Sequence, residues 1–585
     1  MQAPLNLLKK ANKYKHIFAT FLITASFYWV LALANTYGPL LGQFDQYLQP
    51  GGMWAAPNNI KLHGYEAHLN PRKDNPGWDG EFYYFISDDP LILKDTTSHL
   101  DMPAYRYQRI GLGITAKIVS TLTLSNWVSP THYFVASVLV LLLATISAAF
   151  FLFKHGHKPY WVLLWSMGGA PLFTIVYGFT DGAADGFLII AVTALSSKRY
   201  CTYVISMSLA VLSREVYVLL PILILISTSL VQFKNPPTDD YISLINKILK
   251  KISPHMLVIL CMCAWHFYIH YRLGTWPSAY APSSQFAFPF ESAMKYASQS
   301  AMGRTVAHYG DLTSTTPKFY QAIGITLFSL MLIIVIYSTA RQIHRSYNQL
   351  LTDNGEYIGT LIGFTAIALL YSALGDVMFW EPVGYIKAGT VLCFFTLFAH
   401  TSQKRDIPFY FLLIAILNTG FSSHSIWKRI QAPITSLSSQ SNANFSSEQP
   451  GCLVNPSATL EIVSNSKISP PFPVLSSIIP KRNLITLHIT NTSKNETFSP
   501  FRGAGSVNAS YIWMSSDGTQ AIQEGIRSFL PTSLDPGEST EVPVLVEYPN
   551  HNGRYILRMT LIQEGCAWLS KLNPSISLDI PYNLE

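Results

Sequence analysis

Residues 131 to 153 read Thr131-His-Tyr-Phe-Val-Ala-Ser-Val-Leu-Val-Leu-Leu-Leu-Ala-Thr-Ile-Ser-Ala-Ala-Phe-Phe-Leu-Phe153, with no lysine, arginine, aspartate or glutamate among them. A straight helix needs about 20 such residues to cross the hydrocarbon core of a bilayer, so this run predicts a membrane span. Further apolar runs lie near 160 to 178, 182 to 197, 200 to 213, 214 to 232, 255 to 271, 320 to 339, 357 to 374, 384 to 401 and 407 to 424, and an earlier one covers Ile17 to Ala34. Together they predict a polytopic α-helical membrane protein of roughly eleven spans, some of them short for a straight crossing. Composition agrees: 49% of the 585 residues are hydrophobic and 12% charged, against about 25% charged in a soluble domain.

The basic residues are grouped in short clusters between the apolar runs, and the formal net charge is only +7. That pattern sets membrane topology and excludes a nucleic-acid footprint. Lys9, Lys10, Lys13, Lys15 and His16 precede the first run. Ala32-Leu-Ala34 resembles a signal-peptide cleavage site, but the run is longer than the usual apolar core of about 7 to 15 residues, so an uncleaved first span is expected. The N-terminus is then cytoplasmic. Lys154 to Lys158, Lys198-Arg199, Lys234 to Lys251, Arg341 to Arg345 and Lys404-Arg405 all fall on the cytoplasmic side if the segment 109 to 128 lies along the membrane without crossing it. The C-terminus is then outside, although Lys428-Arg429 runs against this. Two outer loops are long, one from Asn35 to about Val128 and one from Gly274 to Lys318 with Lys295, Arg304, His308 and Asp311. A third, Gly375-Asp376-Val-Met-Phe-Trp380-Glu381-Pro-Val-Gly-Tyr385-Ile-Lys387, is short.

Residues 1–425 are thus read as the membrane domain and 426–450, rich in Ser, Asn and Gln, as a linker. Beyond it the period changes to two, with Ile485, Leu487 and Ile489 alternating with Thr486, His488 and Thr490. Turn signals at Asn491-Thr-Ser, Ser516-Asp517-Gly518, Asp535-Pro536-Gly537 and Asn552-Gly553 complete the pattern of a β-sandwich over 451–585. Cys452 and Cys566 bracket this region and could be bonded in an oxidising compartment; Cys201, Cys261, Cys263 and Cys393 fall in apolar runs. Trp513 and Trp568 read as core residues, with sugar binding as the alternative. Asn444, Asn491, Asn495 and Asn508 match a glycosylation pattern that Ser/Thr-rich segments reach by chance.

Chemistry is concentrated after the first span, in Gly77-Trp-Asp79-Gly-Glu81-Phe-Tyr83-Tyr-Phe-Ile-Ser-Asp88-Asp89-Pro and Leu100-Asp101-Met-Pro-Ala-Tyr105-Arg106-Tyr107-Gln-Arg109. Phe82, Phe85 and Ile86 stand three and four apart, as on a helix resting at the membrane surface, with Asp79 as its cap or as a catalytic base. Arg214 lies between two apolar runs, where a charge needs a partner; neighbouring Glu215 is one candidate. Thr-Asp181-Gly-Ala-Ala-Asp185-Gly reads as an outer turn that offers Asp181 or Asp185 as a second carboxylate. Asp79-x-Glu81 offers two oxygens to a divalent cation, although arginine alone can handle a phosphate. Three patterns are set aside. Gly111-Leu-Gly113-Ile-Thr-Ala116 lacks the strand a dinucleotide site requires, His266 and His270 sit among aromatic residues typical of an interface, and no Asp-x-Asp pair for a nucleotide-sugar is present.

The loop Trp78-Asp79-Gly-Glu81-Phe-Tyr83-Tyr-Phe-Ile, followed by Asp101-x-Pro-Ala-Tyr105-Arg106-Tyr107-x-Arg109, resembles the first external loop of the GT-C superfamily of polyprenyl-phosphate-sugar-dependent glycosyltransferases, in particular bacterial members that build cell-surface glycopolymers. Leu212-Ser-Arg214-Glu215 resembles another landmark of that superfamily, and the likeness extends over about residues 10 to 425. It implies an acidic base, placed here at Asp79, and inverting transfer of a sugar from a polyprenyl-phosphate donor to a glycan or lipid-linked acceptor at the outer face of a bacterial inner membrane. Arg214 would be the phosphate partner, and Arg106, Arg109, Glu81, Tyr83, Asp181 and Lys387 would bind substrate. The C-terminal region resembles periplasmic immunoglobulin-like accessory domains. No cofactor is implied beyond the divalent cation already considered. The competing readings are a transporter or flippase for lipid-linked glycan and a non-enzymatic assembly protein.

Overall fold

The computed structural model describes residues 2–51, 53–54, 77–94, 96–234, 241–280, 285–302, 318–346, 355–379, 382–401, 406–431, 451–468, 482–499, 505–549 and 551–584. Of the features read in the sequence, Arg304, His308, Asp311, Trp380, Glu381, Lys404, Arg405, Asn444 and residues 432–450 of the linker lie outside the described residues. The chain divides into two compact units. One takes residues up to Ala32, Asp79–His308 and Thr315–Trp427, and the other takes Leu33–Trp78, Tyr309–Ser314 and Lys428–Glu585.

In the first unit the helices follow in the order α1 (Gln2–Tyr37), α2 (Asp79–Asp88), α3 (Pro103–Tyr107), α4 (Gly111–Leu122), α5 (Pro130–Lys154), α6 (Leu163–Ser166), α7 (Gly169–Tyr177) and α8 (Asp181–Ser196). They continue with α9 (Tyr200–Val211), α10 (Leu219–Lys234), α11 (Tyr241–Leu273), α12 (Glu291–Ala301), α13 (Lys318–Ser346), α14 (Gly355–Ser372), α15 (Pro382–Thr401) and α16 (Phe409–Gln431). Among the described residues, 8 helices are long and apolar enough to cross a membrane. The run expected near 160 to 178 is broken: Pro159–Ser166 and Gly169–Tyr177 meet at 55°, and counting them as one span gives 9. The α9 helix is apolar but short.

Local signals set the helix ends. Ser129 caps α5 by accepting from the His132 backbone N–H while the His132 ring accepts from the Ser129 N–H, and Pro130 follows where no N–H is needed. Gly178, at φ +68°, closes α7 in the left-handed region. Helix packing uses small residues. A Cβ added at Gly355 or Gly359 of α14 would stand 2.7 Å from the Thr228 Cα or 2.5 Å from the Ile224 Cα of α10. Dispersion between closely approaching backbones is what holds helices together in an apolar solvent, so this stripe fixes the α10–α14 pair.

The segment expected along the membrane does form one helix, α4. Gly111, Leu112, Gly113, Ala116 and Ser120 are buried, while Ile118 and Leu122 are exposed. Helix α2 departs from expectation. Every residue from Gly80 to Asp88 is buried, so it is enclosed by protein on all sides and does not rest on a lipid surface.

The second unit is rich in β-strands: β1 (Ala458–Ile468), β2 (Arg482–Asn491), β3 (Val507–Met514), β4 (Ala521–Glu524), β5 (Ser528–Phe529), β6 (Ser539–Glu547), β7 (Gly553–Gln563), β8 (Ala567–Trp568) and β9 (Ser577–Leu584). One sheet has the order β1-β2-β6, and the other runs β4-β3-β7-β8 with β5 on β3 and β9 on β7. The alternation read in the sequence is the pleat of β2: Ile485, Leu487 and Ile489 are fully buried, opposite Val544, Val542 and Thr540 of β6. Their core also takes Val507, Trp513, Leu557, Met559 and Leu561 from the second sheet. Cys452 and Cys566 form a disulfide. Gly518 and Gly537 adopt positive φ at two of the expected turns. Asn491 and Asn508 are buried, which removes them as glycan acceptors, and Asn495 is exposed.

Candidate active site

Four segments converge at one end of the helical unit: the start of α2, α3 with the residues after it, the turn from Gly178 to Asp181, and the turn from Leu212 to Glu215. Helix α15 adds Lys387. Glycine permits the closest approaches. A Cβ on Gly80 would lie 1.8 Å from the Tyr177 carbonyl oxygen, so the residue after Asp79 has to be the one without a side chain. A Cβ on Gly111 would lie 2.4 Å from the Leu209 carbonyl oxygen, and the Gly111 N–H donates to the Leu212 carbonyl at 2.8 Å. The first glycine of the sequence that imitates a dinucleotide fingerprint thus brings the Arg109 region against the turn that carries Arg214.

Asp79 begins α2 with its side chain 43% exposed, while Arg106 beside it is 6% exposed; their closest atoms are 3.1 Å apart. Arg106 is also held by Asp101, with Nε at 2.8 Å and Nη2 at 2.7 Å from the two oxygens, and its guanidinium lies 4.5 Å from the Phe82 ring centre. The half-exposed Asp79 precedes nine buried residues of α2, so protein packs around it. Burial there would push its carboxyl up, but Arg106, then Lys387 and Arg109, outweigh it and hold the group below the usual aspartate value. Asp79 is therefore an anion at neutral pH within the field of three cations.

Arg109 donates to Glu215 at 3.0 and 2.7 Å, to the Tyr83 hydroxyl at 3.1 Å and to the Tyr105 hydroxyl at 2.8 Å. Glu215 thus serves Arg109 and not its neighbour in the chain. Arg214 turns away to Asp181, 3.4 Å distant, and to Asp185 at 4.0 Å, with the Tyr371 ring 5.1 Å from its guanidinium. Lys387 lies 3.4 Å from the other oxygen of Asp181 and 4.4 Å from the Phe179 ring centre. Arg109 acts electrostatically on both Asp79 and Asp181, which joins the two halves of the cluster.

Of the residues singled out in the sequence, Asp79, Tyr83, Arg106, Arg109, Asp181, Arg214 and Lys387 are brought together. Asp185, the alternative to Asp181, joins them one helical turn further along α8 on the same face. Glu81 is fully buried. It stands two positions from Asp79 on the same helix, hence on nearly the opposite face. Among the described residues no group of three or more His, Cys, Asp or Glu is placed to hold a metal.

Asp101, Tyr105, Tyr217 and Tyr371 complete the cluster without a role predicted for them. Asp101 and Tyr105 lie within the charged motif itself, so their proximity to Arg106 and Arg109 in the chain is a signal. Tyr217 bonds Asp185 through its hydroxyl. Tyr371 comes from α14, far along the chain, and carries no local signal. Other acidic residues have structural roles. Asp88 takes Lys94 at 2.7 Å and the Val128 N–H at 2.9 Å, Asp89 takes the N–H groups of Leu93 and Lys94, and Asp376 takes Ser292 and Lys295. His270 stacks on Trp276 with ring centres 4.2 Å apart. In the second unit Trp513 is fully buried, and Trp568 donates to Glu524 at 3.2 Å. No family model matches the chain, and no curated protein or solved structure matches it either.

Proposed function

We propose that the cluster is the reaction centre of a GT-C-type glycosyltransferase that moves a sugar from a polyprenyl-phosphate donor to a cell-envelope glycan or lipid-linked acceptor, with inversion. The observation that carries this reading is Asp79: a half-exposed carboxylate, ionised at neutral pH, beside buried arginines and within the field of Lys387. In the reaction, the acceptor hydroxyl gives its proton to an Asp79 oxygen as its own oxygen bonds the anomeric carbon. The bond from that carbon to the phosphate oxygen breaks, and the electron pair leaves on the phosphate. Arg214 and Lys387 face the charge that develops there, and preorganised cations in a site of low water content stabilise such charge most. Arg106 and Arg109, with Tyr83, hold the first-loop wall to which the sugar binds.

Chain direction supports an outward-facing site. Asp181 opens α8, whose far end is followed by Lys198 and Arg199, and α5 starts beside Gly178, through the Tyr133 hydroxyl, and ends at Lys154. Basic ends are retained in the cytoplasm. Counting α8, α9 and the broken α6–α7 pair as crossings gives roughly eleven passes. The chain beyond α16 is then extracytoplasmic, and the β-rich unit is read as an immunoglobulin-like sandwich at the outer face of a bacterial inner membrane.

The test is transfer by the purified full-length protein, supplied with polyprenyl-phosphate sugars and an acceptor, compared with Asp79→Asn. Product that forms with the native chain and is lost in the variant supports a bond-forming enzyme. Translocation of a lipid-linked glycan, undiminished in Asp79→Asn and without a new glycosidic bond, would replace this reading by a transporter.

A further inference from the structure

The cations of the cluster are already matched by carboxylates, but not equally well. Arg106 grips Asp101 through two bonds of 2.8 and 2.7 Å, and Arg109 grips Glu215 through two of 3.0 and 2.7 Å. These are charge-assisted bonds of full strength. Asp181 is held more loosely. One of its oxygens is 3.4 Å from Arg214 Nη1 and the other 3.4 Å from Lys387 Nζ. Arg214 Nη1 is buried and makes no hydrogen bond among the described residues. A single carboxylate therefore bridges two largely buried cations, and Arg214 keeps unused capacity to donate.

We propose that Asp181 is a displaceable counter-ion: its carboxylate occupies the seat between Arg214 and Lys387 that a phosphate group takes, and phosphate and carboxylate exchange there. The proposal rests on the reading of this cluster as the place where a lipid phosphate is released. Two buried cations without an anion would be costly, so some anion must neutralise them at every stage. A phosphodiester donor carries one negative charge, the same as Asp181, which makes the exchange nearly even in charge. A phosphate monoester product carries up to two and three strong acceptor oxygens. It is held more firmly than the donor, and the tethered carboxylate competes for the same cations to expel it. Asp181 is then neither the base nor a substrate ligand; it sets how tightly phosphate is retained.

The experiment uses the full-length protein in detergent micelles with farnesyl phosphate as probe, farnesol as the uncharged control and inorganic phosphate as a second anion. Asp181→Asn should bind farnesyl phosphate at least about tenfold more tightly than the native protein. Arg214→Gln should lose that binding, and so should Asp181→Asn combined with Arg214→Gln. Because Asp181→Asn leaves Arg214 only Asp185, at 4.0 Å, and Lys387 only the field of Asp79, it should also melt at lower temperature, and inorganic phosphate should raise its melting temperature more than that of the native protein. A gain with both anions assigns the seat to phosphate in general, and a gain with farnesyl phosphate alone assigns it to lipid phosphates. Equal or weaker binding of farnesyl phosphate by Asp181→Asn overturns the proposal, as does an equal gain with farnesol. The functional reading fails separately: if Asp79→Asn transfers sugar normally while Asp181→Asn tightens phosphate, the seat stands and the assignment of the base falls.

Discussion

The charged end of the helical unit and the interior of the β-rich unit both bury polar groups, but they treat them differently. In the β-rich unit the Trp513 ring lies edge-on to Tyr555 and Tyr582, with centres 5.9 and 5.3 Å away, and its Nε1 donates to the Glu547 carbonyl at 2.8 Å. Asn491 donates to the carbonyls of Glu496 and Leu534 and accepts from the Ser493 N–H. Those groups are satisfied, although Glu496 Oε2, Asn508 Oδ1 and Ser528 Oγ of the same unit are buried without a hydrogen bond among the described residues. At the charged end, Asp185 Oδ2 and Arg214 Nη1 are buried without a hydrogen bond among the described residues, and Asp181 sits 3.4 Å from each of two cations. What sets the charged end apart is that its under-bonded atoms belong to neighbouring opposite charges.

The sharpest way to break this contrast is a pair of substitutions. If Asp79 is the proposed base, Asp79→Asn should lower sugar transfer by about 10²- to 10⁴-fold, the range of a lost general base, while costing the protein little beyond its ion pair with Arg106. Trp513→Ala should do the reverse, costing the β-rich unit about 3–5 kcal/mol through its cavity, read as faster proteolysis of that unit. If Asp79→Asn unfolds the protein instead, the charged end is a structural ion-pair network and the contrast disappears. Next in size is Cys452→Ser. The disulfide joins residues 114 apart in the chain, and its loss should cost about 2–5 kcal/mol in the β-rich unit, with non-reducing and reducing gels confirming the bond.

Much of the fold can be read because burial leaves a period in the residues. The apolar runs form helices, and the alternation from Ile485 to Thr490 forms β2. What cannot be read depends on partners far along the chain. The period of Phe82, Phe85 and Ile86 reveals one apolar face of α2, but not that its other faces are covered too. Arg214 and Glu215 are adjacent, which suggests a pair, yet consecutive side chains point apart. The backbone bond from Gly111 to Leu212 delivers Arg109 to Glu215 and leaves Arg214 for Asp181. Gly355, Gly359 and Gly363 stand four apart in the sequence, and that spacing marks the face of α14 that meets α10.

Smaller effects sharpen how the charged end is positioned. Gly80→Ala places a methyl group against the Tyr177 carbonyl and should cost about 1–3 kcal/mol, and on the proposed function it should lower transfer because Asp79 shifts with the start of α2. A normal transfer rate in a stable Gly80→Ala protein would mean that the approach of α2 to α7 does not position the base.

The smallest effect expected near neutrality is that of pH. Asp79 is held below the ordinary aspartate value of 3.8. A depressed carboxylate contributes stability that is present above its unfolded-state value and is lost as pH falls through the lower folded-state value. As the proposed base, Asp79 is likewise ionised over the same range, and on that reading the free-enzyme profile of kcat/KM should show no loss attributable to Asp79 between neutrality and that ordinary value. Its acid limb belongs below it. Replacing Arg106 by Gln removes the strongest of the cations opposing burial, so the Asp79 value should rise and the acid limb should move toward neutrality. An acid limb that stays in place in Arg106→Gln would show that the titrating group is not Asp79, and the base would have to be sought among the other carboxylates of the cluster.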